Sequence, residues 1–441
     1  MSAAFDLGES SQLTHAQLRS VFDAAHTKER RIGLDYELMP YRLLDGGTVY
    51  YDRGVKPLIL ALAAKYNVSP ILANHILTGV DTPVGRLRYG AGSQIDVELD
   101  GGGSLDDLRT QVGDYIAALV PAAQPLGLGF SGIAYHPDRD PTSIQIVSKQ
   151  RYPVMTRRFK TSGARGLHMM TSTAGCAVRV SVHSEKDAIE KFRTAIAVTP
   201  VLQAIFANSP MDRGRLLDVQ SQRILTWMDV DRARTAFFTQ AFDRDFSYDR
   251  YIAWALQVPV LGIDREGRAI DVGDLTFKDC LTTGKLYIGV EDWAGHLSTL
   301  WPAVRFVPQG IELRMADTGS PTHALALAAM VKGLLHAPKA RAEILKKMKP
   351  DGDFSRLPMK AAKHGLFGQA AKGTLLDMAK ETLRIARAGL GAEDARYLEP
   401  VARALAIAAS PADEIRERWG RDWKSLHELF TSLRVTPETR P

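Results

Sequence analysis

Two pairs of carboxylates stand two residues apart on alternating segments: Asp35 and Glu37 in IGLDYEL, and Asp96 and Glu98 in SQIDVEL. On a strand, that spacing puts both carboxylates of a pair on one face. Like charges so placed repel unless a cation sits between them. Hard oxygens at this spacing suit Mg²⁺, whose other ligands are usually water and phosphate. An outward-facing charged edge fits the same spacing. Glu312 and Arg314, in IELRMAD, share a strand face as well. A carboxylate for a metal and a guanidinium for a phosphoryl or carboxylate group is a workable division, and a surface salt bridge is the plain alternative. From Lys149 to Glu185 the chain carries seven basic residues (Lys149, Arg151, Arg157, Arg158, Lys160, Arg165 and Arg179) and no acid before Glu185. Such a field suits an anionic ligand such as a nucleoside triphosphate or a small dicarboxylate. Together these motifs predict an enzyme that handles a metal–nucleotide complex.

Other chemistry-bearing residues are less telling. Trp227, Asp229, Asp231 and Arg234 lie in TWMDVDRART. Its acids suit a metal or an amine, and equally a helix cap. DTGSPTH (317–323) is a turn and helix start. His168 and His183 are expected to be hydrogen-bonded structural residues, and Cys176 a buried small one. No G-x-S-x-G, Walker A or H-E-x-x-H pattern occurs, so a nucleophile-based hydrolase has no support.

Positioning these groups calls for both strands and helices. Strands are predicted at 32–41, 93–99, LGFSGIAYHP, CAVRVSVHS, 219–230 and 303–315. Helices are predicted at 10–27 (opened by Ser10 or Ser11), within 55–79, at 105–127 with Gly127 as the stop, and at 185–206. Beyond Ser320 the chain turns Ala/Leu-rich, with helices at 321–337, 339–348, 373–391, 393–409 and 411–432. The expected architecture is α+β: a catalytic body over 1–320, then a helical C-terminal region, 321–441, packed on the same domain.

Composition narrows the class. The chain has 441 residues, 45% of them hydrophobic, and a net charge of +6. With no long Lys/Arg run, nucleic acid is not an expected partner. Two cysteines argue against a disulfide scaffold or a zinc ribbon and point to a reducing cytosol. The N-terminus lacks a secretory pattern, and the longest apolar stretches are short of a membrane span, so a soluble, cytoplasmic protein is expected.

Seven segments in series resemble the glutamate–cysteine ligases of the plant and proteobacterial type. RIGLDYEL resembles that family's opening G-x-E-x-E strand. KQRYPVM is similar to K-x-R-Y-x-I-M, and GLHMMTSTAGCAVRVSVHSEKD to G-L-D-M-M…T-V-Q-V-N…S-E. KFRTAIAVTPVLQAIFANSP, WMDVDRART, DWAGHLSTLWPAVR and IELRMAD resemble four further segments, in the same order. The resemblance implies a glutamine-synthetase-like antiparallel sheet. It implies ATP and Mg²⁺ as cofactors and two steps: phosphorylation of the glutamate γ-carboxylate, then attack by the cysteine amine. It makes Asp35, Glu37, Asp96 and Glu312 metal ligands, with Arg314 facing the transferring phosphoryl group; Arg179, which the family pattern does not supply, is a second catalytic candidate. Arg234, Arg151, Trp227 and Gln94 are the implied substrate-binding residues.

The departures bear on the substrate. The family's E-P-G-G-Q-x-E-L-S becomes GAGSQIDVE, with Gly90 in place of the first Glu. In T-V-Q-V-N the Gln position is Arg179 and the Asn position Ser181. These changes move the local charge by about two units in the positive direction, a large effect in a partly dry pocket. A sister ligase joining another acid or amine, or a homologue that has lost catalysis, therefore stand beside the cysteine ligase.

Overall fold

The computed structural model describes residues 11–73, 75–138, 140–147, 149, 151–348 and 354–437. Its centre is an antiparallel sheet of β1 (Ile32–Arg42), β2 (Pro70–Ala73), β3 (Ile76–Thr82), β4 (Gly85–Tyr89), β5 (Ile95–Asp100), β6 (Leu128–Ser131), β7 (Gly175–Val180), β8 (Val304–Val307) and β9 (Gly310–Asp317). Among the described residues the order is β8-β9-β7-β1-β5-β4-β3-β2, with β6 pairing onto β1.

Alternation makes this sheet two-faced. Leu34, Tyr36 and Leu38 of β1, Ile95, Val97 and Leu99 of β5, Val178 and Val180 of β7, and Ile311 and Leu313 of β9 are buried. The helices Leu105–Ala123, Glu185–Ile205 and Pro321–Leu335 pack on these strands. Each fully buried side chain of this kind contributes roughly 1.5–3 kcal/mol. A one-residue slip would turn charged residues into that core, so the register is firmly specified. The residues between them face the other way and carry the charges.

The helix Pro321–Leu335 is buried nearly all round. It lies between β1 and β7 on one side and the helix Leu375–Ala388 on the other. Ser320 caps it, its Oγ accepting from the His323 backbone N–H, so the change of composition there is a helix start inside continuous packing. The end of the chain returns to the sheet: Phe430 stacks on Tyr41 with ring centroids 4.7 Å apart, and the Val435 N–H donates to the Phe130 carbonyl.

Several expectations are corrected. The first helix is His15–Asp23, capped by Thr14 in a reciprocal capping box; of the two openers named, Ser11 precedes it and Ser10 lies outside the described residues. Within 55–79 the expected helix is present as Lys56–Tyr66, and β2 and part of β3 follow it; the left-handed Asn67 ends the helix. The span 219–230 is not a strand. It holds a short helix, Gln222–Trp227, because the Ser221 hydroxyl accepts from the Ile224 N–H and starts a turn. The span 303–315 is a hairpin of two strands, β8 and β9. The stretch 393–409 is broken into Ala392–Ala395 and Glu399–Ala406.

Candidate active site

The register of the sheet fixes which charged residues meet. Between β1 and β5, Asp35 faces Glu98 and Glu37 faces Asp96. On the far side of β5, Arg86 faces Glu98 and Arg88 faces Asp96. Across β1, Arg179 of β7 stands opposite Gly33. Arg179 also stands opposite Glu312 of β9, and Glu312 opposite Arg305 of β8. One face of the sheet thus runs from carboxylate pairs on β1 and β5 to guanidinium–carboxylate pairs on β7, β9 and β8.

On the guanidinium side the carboxylate is fully engaged. Glu312 is 3% exposed. Arg305 grips it in bidentate fashion, Nε to Oε1 and Nη2 to Oε2, both 3.0 Å. Arg314 Nε donates to the same Oε1 at 3.2 Å. Burial pushes the Glu312 carboxyl up, but Arg305, Arg314 and Arg179 outweigh it and hold it below the usual carboxylate range. Arg314 sits on a β-bulge: the pairing of β9 with β7 shifts between Leu313 and Ala316, which re-aims its side chain. Its guanidinium lies 4.5 Å from the centre of the Trp227 ring. Burial and the neighbouring Arg305 bring Arg314 down to about 10. Its Nη1 is buried without a hydrogen-bond partner among the described residues.

Arg179 joins the two sides. Its Nη2 lies 2.8 Å from Asp35 Oδ1 and its Nη1 4.0 Å from Glu98 Oε2. Gly33 makes room for this crossing, since a Cβ there would stand 3.2 Å from Arg179 Nε. Even so, burial, the nearby Glu312 and the facing Glu98 carry Asp35 up to about 7 against the pull of Arg179. Glu37 is raised by burial, opposed by Arg223 and by a hydrogen bond from the Gly175 N–H. Asp96 is raised further, by burial and by Glu37, Asp35 and Glu98. Asp96 Oδ1 is buried with no hydrogen-bond partner among the described residues. No three Asp, Glu, His or Cys side chains among those residues stand close enough to hold a metal ion by themselves.

A cavity of ≈ 200 Å³ opens on this face, with Asp35, Glu98, Arg179, Arg305 and Glu312 in its wall. A wider cleft of ≈ 710 Å³ shares Glu98 and Arg179 with it and extends past Arg86 and Asp100. At the acid end, Lys149 donates to the Tyr89 carbonyl at 2.8 Å, its Nζ 3.7 Å from the centre of the Tyr89 ring. Burial and the neighbouring Arg151 lower Lys149 to about 7, with Asp96 acting against them.

Of the residues named from the sequence, Asp35, Glu37, Asp96, Glu312, Arg179 and Arg314 share the charged face. Trp227 lies buried against Arg314 and positions it. Arg151 is exposed at the start of the helix Arg151–Ser162. Two substrate-binding assignments meet contrary geometry. Arg234 is fully buried, with its guanidinium spent on Asp231, Thr299 and the Pro259 carbonyl. Gln94 is 4% exposed; its Nε2 donates to the Met170 and Thr173 carbonyls and its Oε1 accepts from Gly92. A Cβ at Gly90 would stand 2.5 Å from that Oε1, so the glycine and the inward Gln94 go together.

The basic run is not one field in space. Arg157 pairs with Asp271, and Arg158 with Asp231 and Asp274. Acids distant in sequence neutralise what looked segregated. His168 is hydrogen-bonded to Tyr135 and His183 to the Thr27 carbonyl. Sequence reasoning missed Arg305 and Arg223. Arg305 alternates with the buried Val304 and Phe306, a period-two signal that was available. Arg223 lay inside the span misread as a strand.

Known proteins bear on this arrangement. The chain is 28% identical over 424 residues to the chloroplastic glutamate–cysteine ligase of Medicago truncatula, covering 92% of this chain and 82% of that one. It is equally similar to the Arabidopsis thaliana enzyme, covering 80% of it. The crystal structure of a Francisella tularensis glutamate–cysteine ligase in complex with AMP matches with a TM-score of 0.59 at 13% identity, covering 94% of this chain and 89% of that one. At that identity the match speaks for the fold alone, helices packed on an antiparallel sheet. Among the described residues no helix is long and apolar enough to cross a membrane. The cytoplasmic placement does not stand, since the plant relatives are named as chloroplastic. Cys176 and Cys280 are both free and buried, which says nothing of the compartment. Residues 94–432 match the model described as glutamate–cysteine ligase family 2, and with most of its length so matched the chain belongs to that family.

Proposed function

We propose that this chain is an ATP-dependent carboxylate–amine ligase that joins the γ-carboxylate of glutamate to the amine of cysteine. The observation that carries this reading is the single charged face on which paired carboxylates and a row of guanidiniums meet beside one cavity. A carboxylate is a poor electrophile. Moving the γ-phosphoryl of ATP onto its oxygen gives an acyl phosphate and ADP. The amine nitrogen then attacks the acyl carbon, loses a proton and expels inorganic phosphate.

Little covalent chemistry falls to the protein in such a transfer; positioning and charge stabilisation do the work. Arg314 suits the transferring phosphoryl group. Trp227 and Glu312 hold its guanidinium in place, and Nη1 remains free to donate. Arg151 and Lys149, at the acid end of the face, suit a substrate carboxylate.

Glu37 and Asp96 fit Mg²⁺ by their chemistry: two hard oxygen donors directly opposed, one oxygen of Asp96 unpartnered. Two carboxylates suffice for an ion that keeps water and substrate phosphates as its other ligands. Asp35 and Glu312 fit less well, because guanidiniums already engage them. Mg²⁺ at Glu37 and Asp96 would neutralise triphosphate charge.

The test is an ATP-consumption assay with Mg²⁺ and glutamate, offering each amino acid and simple amines as acceptors and reading products by mass. Turnover with cysteine as the preferred acceptor is expected. No ADP with any acceptor would overturn the ligase reading. A sister ligase with another amine is the second reading, favoured by the Arg179 guanidinium in the cavity wall; turnover with a different acceptor alone would select it.

A further inference from the structure

We propose that Arg223 is a positioning residue: its guanidinium fastens the β9 bulge that aims Arg314. This rests on the ligase reading only for what Arg314 then does, which is to face the transferring phosphoryl group.

Leu313 faces Val178 and Ala316 faces Cys176, so three steps on β9 match two on β7. The extra residue breaks the ladder and leaves backbone groups without their strand partners. Buried carbonyls so released need donors from elsewhere. Arg223 supplies them. Its Nη2 donates to the Arg314 carbonyl at 3.1 Å and its Nη1 to the Ala316 carbonyl at 3.0 Å. One planar fork thus spans the bulge. On the other side the Arg314 N–H donates to the Ala303 carbonyl at 3.1 Å, so the backbone of Arg314 is tied in both directions.

The fork is itself held. Asp317 Oδ1 lies 3.7 Å from Arg223 Nη1, with both side chains buried. Asp317 in turn accepts from the Ser209 and Ser221 hydroxyls and from the Asn208 N–H. Ser221 also caps the helix Gln222–Trp227, which carries Arg223 near its start and Trp227 at its end. That one short helix therefore grips Arg314 at both ends: Arg223 takes its carbonyl and Trp227 underlies its guanidinium. Gly175 of β7 makes the room. A Cβ there would stand 2.7 Å from Arg223 Cζ and closer still to Nη2. The Arg223 side chain is 3% exposed, against 14% for Arg314, so a substrate meets the second and not the first.

The experiment pairs steady-state kinetics with hydrogen exchange on the purified full chain. Arg223→Lys keeps a positive charge beside Asp317 but loses the fork, since an ammonium is a compact point charge. It is expected to lower kcat about 10²-fold, the cost of a misplaced group, with KM for ATP and glutamate unchanged. Arg314→Gln lowers kcat as well. Adding Arg223→Lys to it lowers kcat no further, because the one residue acts through the other. Deuterium uptake in Gly310–Asp317 rises in Arg223→Lys while uptake in β1 and β5 stays level. Gly175→Ala pushes the fork aside with Arg223 intact; it gives the same kcat loss and the same uptake, and it decides the matter if Arg223→Lys does not fold. A raised KM for glutamate or the amine at unchanged kcat would make Arg223 a substrate contact and overturn the proposal. Losses that add in the double variant would overturn it too, as would uptake in Gly310–Asp317 that matches the unmodified chain. The ligase reading fails separately: no ADP from the unmodified chain with any acceptor, together with raised uptake in the variants, would leave the fastened bulge standing and remove the proposed reaction.

Discussion

On β1 and β5, Asp35 faces Glu98 and Glu37 faces Asp96, acid against acid. On β7, β9 and β8 the facing partners are Arg179, Glu312 and Arg305, with Glu312 set between two guanidiniums. In the first half burial and the neighbouring acids hold Asp35, Glu37 and Asp96 up; in the second the guanidiniums hold Glu312 down. The difference teaches where the fold has paired its own charges and where it leaves charge for a ligand. A paired face is structural. An unpaired one is costly until something binds.

The largest effect is expected from breaking the paired half. Glu312→Gln strands Arg305 and Arg314 in a buried setting and costs about 3–5 kcal/mol of stability, read as a lower urea midpoint at pH 7.5. Glu312 is buried and gripped by two guanidiniums, so this change damages the fold and not turnover alone. In the unpaired half the same substitution acts in the opposite sense. Glu37→Gln lowers kcat by about 10²–10³-fold while thermal stability without ligands stays level or rises, because one of two opposed acids has become neutral. A fall in melting temperature comparable with that of Glu312→Gln would erase the contrast between the halves.

A pH titration sharpens it further. Asp35 holds its proton up to about 7 in the fold, against 3.8 in the unfolded chain. Between about pH 4 and pH 7 the folded state therefore binds more protons than the unfolded one, and ligand-free stability falls as pH rises through that window. Asp35→Asn flattens this slope and makes the protein more stable at pH 8 than the unmodified chain; an unchanged slope in denaturation curves would refute it. The smallest effect belongs to Trp227→Phe. The weaker ring face under Arg314 costs about 0.5–1 kcal/mol, seen as a few-fold lower kcat with KM unchanged.

Much of the sheet was legible before any coordinates. IGLDYEL, IDVEL within SQIDVEL, and IELRM within IELRMAD alternate, and alternation is a local property. Their same-face carboxylates followed from the period of two. The misreadings came where local signals conflict. Residues 219–230 carry β-compatible side chains, yet the Ser221 cap starts a helix. Thr14, not an earlier serine, opens the first helix. The seven basic residues from Lys149 to Arg179 looked like one field because sequence distance was standing in for spatial distance. Gln94 and Arg234 looked available because a sequence does not show which polar groups spend their hydrogen bonds inside the protein.

By itself the sequence determined the strand periods, the polar and apolar faces, and a series of motifs whose order is characteristic of one ligase family. Those are set by chain-local spacing. Only the tertiary structure decided which charges meet. The register of β8, β9, β7, β1 and β5 set Glu312 between Arg305 and Arg179, and left Glu37 facing Asp96. Partner choice across strands depends largely on contacts between segments distant in the chain, and the energy of a buried charge is fixed by that partner and by its distance from water.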